Sequence, residues 1–171
     1  RILTGLIVLS GALLVFLSAC QKDNNGNTTQ LKIHLTDNPF NATEVNVDIR
    51  EVNVKLDGPD SVNWISLNTQ TGIYNLLDFQ NGIDTVLAQG IVPTGKLKEI
   101  RFVLGPDNSI TVDNVNYPLT IPSGSESGLK IKVDKALRAS LDSLVIDFDA
   151  AMSIFQTGNN EFKLKPVLKV R

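Results

Sequence analysis

Residues 45–56 read Val-Asn-Val-Asp-Ile-Arg-Glu-Val-Asn-Val-Lys-Leu, with an apolar side chain at almost every second position. Alternation with a period of two residues is typical of a β-strand that buries one face and exposes the other. The apolar positions are odd-numbered as far as Ile49 and even-numbered from Val52 onward. A strand cannot change faces without an extra residue, so we predict a β-bulge or bend at Arg50 and Glu51 that lets this strand serve two sheets.

The same alternation recurs along the rest of the chain, in runs that begin at Leu31, Ile100, Val115, Leu129 and Ile146. Turns rich in glycine, proline and asparagine separate these runs. Many short strands spaced in this way predict a sandwich or barrel. We therefore predict an all-β fold with little helix for residues 31–171, an antiparallel β-sandwich of the immunoglobulin-like or transthyretin-like kind. Residues 134–141 fit either two helical turns or a further strand.

The last apolar run crosses a proline. Proline has no N–H to donate to a neighbouring strand, so we predict that this strand lies at a sheet edge or is broken at Pro166. The apolar positions that keep one parity across the proline are Phe162, Leu164, Leu168 and Val170. The opposite face carries only basic side chains, those of Lys163, Lys165, Lys169 and Arg171.

Composition and charge limit the classes of function. The chain has 171 residues, enough for one domain, and its 16 Lys and Arg against 18 Asp and Glu argue against a nucleic-acid binder. A single Cys and a single His exclude an intramolecular disulfide and a Cys/His zinc site. His34 occupies an outward strand position, and the sequence shows no nucleophilic triad or phosphate-binding loop. We therefore predict that the protein is not an enzyme.

The N-terminal segment is apolar. Residues 2–19 contain no charged side chain, and the strongest part of this run has the length of the apolar core of a signal peptide. The run ends at Leu17-Ser18-Ala19-Cys20, which resembles a bacterial lipobox. We therefore predict that residues 1–19 are a signal peptide and that a lipid on the Cys20 thiol anchors the protein to a membrane.

The residues that follow Cys20 are polar. Gln21, Lys22 and Asp23 resemble the surface-export signal of Bacteroidota lipoproteins, which predicts an outer-membrane lipoprotein on the cell surface, with a periplasm-facing position as the alternative. Residues 20–30 contain no apolar side chain apart from the cysteine, so we predict that they form a flexible tether.

Three carboxylates are candidates for a metal site. Asp147 and Asp149 lie on the outward face of one predicted strand, and Asp37 lies at the end of the first strand. Three carboxylates can contribute to a Ca²⁺ site, which takes six to eight oxygen ligands. The alternative is that these groups face solvent or pair across strands with the basic face of the last strand. By the same parity, Asp48 also points outward.

A tryptophan and a polar loop are candidates for ligand contact. Trp64 is suited to a carbohydrate platform if it is exposed, and to the core if it points inward. Residues 122–128 form the longest polar stretch within the predicted fold, and Ser123, Ser125 and Glu126 are its candidate contact residues. A loop on a rigid scaffold can bind a partner, although it can also be a plain connection.

The chain resembles a known group, the bacterial lipoprotein family of domain of unknown function 4382. The resemblance implies an exported β-sandwich and supplies no catalytic residues. With the lipobox it predicts a non-enzymatic cell-envelope lipoprotein that acts as a binding, adhesion or structural accessory module for a glycan or protein ligand. A Ca²⁺-dependent module or an enzyme using the three aspartates is the alternative. The matching segments are Leu35-Thr36-Asp37-Asn38-Pro39, Val45-Asn46-Val47-Asp48-Ile49, Pro93-Thr94-Gly95-Lys96, Ile100-Arg101, Pro122-Ser123-Gly124, Ser127-Gly128-Leu129-Lys130, Asp147-Phe148-Asp149, Ser153-Ile154 and Leu164-Lys165-Pro166-Val167.

Overall fold

In this computed structural model, the described residues are 27–37, 41–58, 64–122, 128–158 and 161–171. They form fourteen strands, one turn of 3-10 helix at Leu76–Phe79 and one short α-helix, α1, at Ala150–Ser153. The strands in chain order are β1 (Thr28–Thr36), β2 (Glu44–Leu56), β3 (Ile65–Ser66), β4 (Asn68–Thr69), β5 (Gly72–Asn75), β6 (Thr85–Pro93), β7 (Lys96–Leu104), β8 (Ser109–Val112), β9 (Val115–Thr120), β10 (Leu129–Ala136), β11 (Ser140–Phe148), β12 (Ile154–Thr157), β13 (Glu161–Leu164) and β14 (Leu168–Val170).

The strands build two sheets around one core. Sheet A has five strands in the order β14-β11-β1-β6-β4, and sheet B has the order β10-β7-β2-β8-β9-β13-β12, with β3 and β5 also paired to β2. Buried side chains from both sheets form a single hydrophobic cluster, in which Phe102 of sheet B and Phe148 of sheet A are the largest that are fully buried. The predicted all-β, sandwich-like fold is confirmed.

Both sheets are mixed rather than purely antiparallel. In sheet A, β1 lies between β6, to which it is antiparallel, and β11, to which it is parallel. In sheet B, β13 pairs with β9 in parallel and with β12 in antiparallel fashion. Parallel neighbours need a long connection, and such pairings between distant segments are not visible in a local apolar pattern.

The predicted bulge in β2 is confirmed. The pairing of β2 with β7 shifts register between Ile49 and Glu51, and Arg50 and Glu51 are two consecutive exposed residues. The prediction that β2 serves two sheets is wrong, because its whole length lies in sheet B. The bulge instead separates two sets of neighbours within that sheet. Before it, β2 pairs with β8 and β5 and meets β7 only at Ile49, and beyond it β2 pairs with β7 and β3.

The first strand begins earlier than predicted. β1 starts at Thr28, so residues 28–30 belong to the folded domain and not to a tether. Thr29 is 1% exposed, in register with Val92 of β6 and Ser140 of β11. Backbone pairing on both edges holds this polar stretch in the sheet, although it has no apolar side chain of its own.

The last strand is interrupted at Pro166, which confirms one of the two predicted alternatives, a break rather than a continuous edge strand. β13 ends before the proline in sheet B, and β14 follows it as an edge strand of sheet A. Residues 134–141 form no helix, since β10 runs to Ala136 and β11 begins at Ser140. The chain therefore passes from sheet B to sheet A across Pro166. Lys169 of the final strand is then in register with Asp147 of β11.

Candidate functional site

The three candidate aspartates lie at the end of sheet A where β1 and β11 finish side by side. Thr36 of β1 is in register with Asp147 of β11. Asp37, Asp147 and Asp149 are 2%, 2% and 4% exposed. The option that they face solvent is therefore wrong.

Each of these carboxylates has a partner within the protein. Asp147 forms an ion pair with Arg171 at 2.8 Å, and Asp149 forms one with Lys169 at 2.9 Å. Asp149 also accepts a hydrogen bond from the N–H of Met152 at the start of α1. The predicted cross-strand pairing with the basic face of the last strand is confirmed.

A covering segment explains why outward positions are buried here. Thr36 donates its hydroxyl to the carbonyl oxygens of Phe79 and Ile83, and Gln80 donates its side-chain amide to Asp37 at 3.4 Å. Asp37 also accepts from the N–H of Ala150 at 2.9 Å. The chain after the 3-10 turn thus covers this end of sheet A. Sequence parity predicts the face of the sheet to which a side chain points, but its exposure depends on whether another segment covers that face.

The arrangement of these carboxylates favours a structural role. Across residues 27–37, 41–58, 64–122, 128–158 and 161–171, no three His, Cys, Asp or Glu side chains are grouped so as to hold a metal ion. The ion pairs and the helix cap join β14, β11 and α1. We therefore interpret the cluster as a clamp on the C-terminal strand.

A third carboxylate expected to point outward, Asp48, is also buried. Asp48 is 0% exposed and forms an ion pair with Arg50 at 2.6 Å. Its backbone N–H donates to Asn108 at 2.9 Å. A Cβ atom at Gly105 would overlap the Asp48 carboxylate, so the turn after β7 can approach β2 only because that residue is glycine. This contact fixes the β7–β8 turn beside the bulge.

Trp64 lies on the outer face of sheet B. It directly precedes β3 and is half-buried. The Cζ atom of Arg101 lies 4.6 Å from the centre of the Trp64 ring, and the Nζ atom of Lys130 lies 6.0 Å from it. Arg101 and Lys130 are in register on β7 and β10, and Arg101 alternates with the buried Ile100 and Phe102. Both cations therefore point away from the core and over the aromatic ring, which attracts them electrostatically.

We call this surface the Trp64 platform and define it by Trp64, Arg101, Lys130, Lys132 and Lys55. The last two cations are in register with Glu99 on either side of it. Among the described residues, none of the four cations forms an ion pair within 4.0 Å, and the buried Nε of Arg101 has no hydrogen-bond partner. The platform therefore presents cationic donors whose acceptors are not supplied by the described part of the fold.

The residue that follows the polar loop, Gly128, lies beside the Trp64 platform. Ser123, Ser125 and Glu126 lie outside the described residues. Gly128, which follows them, has a φ of +73°, and a Cβ there would press against the side chain of Arg101 and the carbonyl of Phe102. Trp64 and Gly128, the described residue that follows this loop, thus both lie beside Arg101. Arg101 and Lys130 were not predicted, because only the register of β7 with β10 places them beside the tryptophan.

Two other polar surfaces, around His34 and around Tyr117, are less suited to binding. The Nδ1–H of His34 donates a 2.6 Å hydrogen bond to the Asp84 carboxylate on the outer face of sheet A. Tyr117 packs on Phe162 with ring centres 5.0 Å apart, at the wall of a cavity of about 510 Å³ with Asn41, Asp113 and Gln156 among its polar lining. None of these groups combines a stacked cation with a buried, unsatisfied donor atom, as Arg101 does.

The protein is an all-β sandwich whose two outer faces differ. The outer face of sheet A carries paired charges, and the outer face of sheet B carries the Trp64 ring with cations over it. The chain belongs to the family described as domain of unknown function (DUF4382), whose model matches residues 28–166. This confirms the family resemblance. No curated protein and no solved structure matches the chain significantly. Within the described ranges, no helix is long and apolar enough to cross a membrane.

Proposed function

We propose that this chain is a non-enzymatic lipoprotein of the bacterial cell envelope that binds a carboxylate-bearing ligand through the Trp64 platform. Leu17-Ser18-Ala19-Cys20 supports anchoring through a lipid on Cys20. Gln21, Lys22 and Asp23 support display on the outer surface of the outer membrane, and a periplasm-facing position is the alternative. No cofactor is needed for this role.

The observation that carries the proposal is the stacked, unsatisfied Arg101. A guanidinium group has five N–H donors in a planar fork that matches a carboxylate. Stacking on Trp64 holds this fork flat, so less rotational freedom is lost when a ligand binds. The Nε donor is buried without a hydrogen-bond partner among the described residues, so a carboxylate that reached it would satisfy a donor that water does not.

Repeated cations favour a ligand with repeated carboxylates. Lys130 and Arg101 occupy one row across β10 and β7, and Lys132 occupies the next outward row. Adjacent strands are about 4.8 Å apart and successive outward rows about 6.7 Å apart. An extended acidic polysaccharide can reach several of these cations at once, and each ion pair with an exposed lysine contributes up to about 1 kcal/mol. We therefore expect a glycan rich in uronic acids to bind, with an affinity that falls as salt is raised.

The test compares two arginines. Binding of the mature chain to immobilised polygalacturonate is measured by surface plasmon resonance, with neutral dextran as the reference surface. We expect Arg101→Gln to weaken binding by about tenfold or more, since it removes the fork. Arg138→Gln removes the same charge from an exposed site between β10 and β11 and should leave binding nearly unchanged.

Three results would contradict the proposal. Equal losses in both variants would show that only net charge matters, and no binding of the native chain would reject the acidic-glycan ligand. Tighter binding to polyglutamate than to polygalacturonate would assign the platform to an acidic polypeptide instead. The anchor is tested separately, because Cys20→Ser should abolish metabolic labelling with a fatty acid.

A further inference from the structure

Two large apolar side chains lie exposed on the outer face of sheet A. Ile91 of β6 is 76% exposed and Leu141 of β11 is 54% exposed. Both are in register with Gln30 of the central strand β1, one on each side of it. They therefore project from the same face, about 10 Å apart across three strands.

The two outward rows at this end of sheet A carry little charge. In the next outward row of sheet A, Lys32 lies between Ser143 and Gln89, and Asn68 follows on β4. Neither this row nor the row of Ile91 and Leu141 contains an Asp or Glu side chain. A face with two apolar side chains, neutral amides and hydroxyls and a single lysine is compatible with lipid headgroups, including anionic ones.

The same end of sheet A is where the chain arrives from its N-terminal segment. The N–H of Thr94, directly after β6, donates to the carbonyl of Asn27 at 2.8 Å. Cys20 precedes Asn27 by seven residues, which span at most about 25 Å when fully extended. A lipid on Cys20 would therefore hold Asn27, and with it this end of sheet A, within about 25 Å of the bilayer surface.

We propose that sheet A lies on the bilayer that holds the Cys20 lipid, with Ile91 and Leu141 inserted among the headgroups. This inference rests on the proposed lipid anchor and adds the surface that faces the membrane. Burial of each side chain in an apolar phase favours the docked state by about tenfold or more, and the tether removes the cost of bringing the domain to the membrane.

Docking on sheet A also sets the direction of the ligand-binding face. The outer faces of two packed sheets point in opposite directions. With sheet A against the bilayer, the Trp64 platform on sheet B points away from the membrane. The lipid on Cys20 and the side chains of Ile91 and Leu141 then face the membrane, and a ligand approaches the Trp64 platform from the opposite side of the domain.

The sequence provides two unique probes for a test. Cys20 is the only cysteine and Trp64 the only tryptophan. The mature chain is coupled through the Cys20 thiol to maleimide lipids in phosphatidylcholine vesicles, and tryptophan fluorescence is measured with and without brominated acyl chains. Ile91→Trp and Leu141→Trp are each made in a Trp64→Phe background. Ile73→Trp in the same background is the matched control, since Ile73 is 57% exposed on β5 of sheet B.

We expect the Ile91→Trp and Leu141→Trp variants to be quenched about twofold or more beyond both native Trp64 and the Ile73→Trp control. Equal quenching at all four positions, or strongest quenching of Trp64 or of the Ile73→Trp control, would overturn the inference. Urea denaturation of each variant confirms that the comparison is made on folded protein. Because the coupling is chemical, the outcome is independent of native lipidation. Fatty-acid labelling that persists in Cys20→Ser would reject the lipid anchor, whereas equal quenching at all four tryptophan positions would reject the docking surface.

Discussion

The outer faces of the two sheets have similar alternating sequence patterns, but the carboxylates at the far end of sheet A are buried and paired, whereas the cations of the Trp64 platform on sheet B form no ion pair with a described residue. At the far end of sheet A, the outward Asp147 is buried and paired with Arg171. On sheet B, the outward Arg101 stacks on Trp64 and has no ion pair with a described residue. The alternation places each side chain on a face, but a distant segment decides whether that face is covered.

The difference follows from what reaches each surface. The covering segment after the 3-10 turn and strand β14 both arrive at the far end of sheet A, and β14 brings Lys169 and Arg171. Burying a carboxylate costs several kcal/mol unless a cation and hydrogen bonds compensate, so those basic side chains are required there. No such requirement acts on the cations of the Trp64 platform, which can keep their free donors for a ligand.

The largest effect is expected at the core residue beside the paired carboxylates. Phe148 is 0% exposed, and Phe148→Ala should lower the free energy of unfolding by about 3–5 kcal/mol because it leaves a cavity. Urea denaturation followed by far-UV circular dichroism measures this value. A cost below about 1 kcal/mol would show that this strand does not pack in the core as described.

Next in size is the removal of one paired carboxylate. Asp149→Ala removes the α1 cap and the Lys169 ion pair, so we expect a loss of about 2–3 kcal/mol in the same urea experiment. The matched control is Asp134→Ala, which breaks the 2.6 Å ion pair with Lys96 at an exposed site and should have little effect. Equal losses from the two variants would show that burial does not distinguish these ion pairs.

A smaller, pH-dependent effect is expected at Asp142. Burial alone would raise the pKa of Asp142, but hydrogen bonds from Lys135 and from the N–H groups of Arg138 and Ser143 lower the pKa below its usual value. A carboxylate whose pKa is lowered by folding stabilises the protein above its unfolded-state pKa, about 3.9, and this contribution is lost as pH falls through the folded-state pKa.

The matching measurement is the melting temperature of Asp142→Asn relative to the native chain. We expect the variant to melt lower at neutral pH and the gap to shrink as the pH falls below about 4. Glu161→Gln, at an exposed position of β13, should show no such convergence. A gap that stays constant with pH would assign the effect to shape or hydrogen bonding and not to charge.

The smallest change in stability is expected at the Trp64 platform. Arg101→Gln should cost less than about 1 kcal/mol, because it removes one cation–π contact and no ion pair. Urea denaturation on the protein used for the glycan experiment measures this. A loss as large as that of Asp149→Ala would mean that Arg101 is a structural residue and that the two outer faces do not differ as described.

Local patterns predicted much of the scaffold. The change of parity between Ile49 and Val52 predicted the bulge, and the missing N–H of Pro166 predicted the break before β14. Both are steric or hydrogen-bonding properties of a few adjacent residues. The prediction that β2 serves two sheets was wrong, since parity shows that a strand changes faces but not which strands it meets.

The candidate site was predicted less completely. Trp64 was recognised because tryptophan is rare in this chain, while Arg101 and Lys130 were not, because they resemble other charged residues on outward positions. Val115 was expected inside by parity but is 48% exposed, since it begins a hairpin strand beyond the core. Period-two alternation identifies core positions only where a second sheet lies opposite.

By itself, the sequence determined that the chain is all-β, where one strand bulges and where the last one breaks, because steric clashes, missing donors and apolar period act between near neighbours. Only the tertiary structure decided that β1 lies parallel to β11, that Asp147 is buried under Arg171, and that Arg101 stacks on Trp64. These contacts join residues far apart in the chain. They depend on which distant strands share a register, and the summed burial of the whole core selects that arrangement.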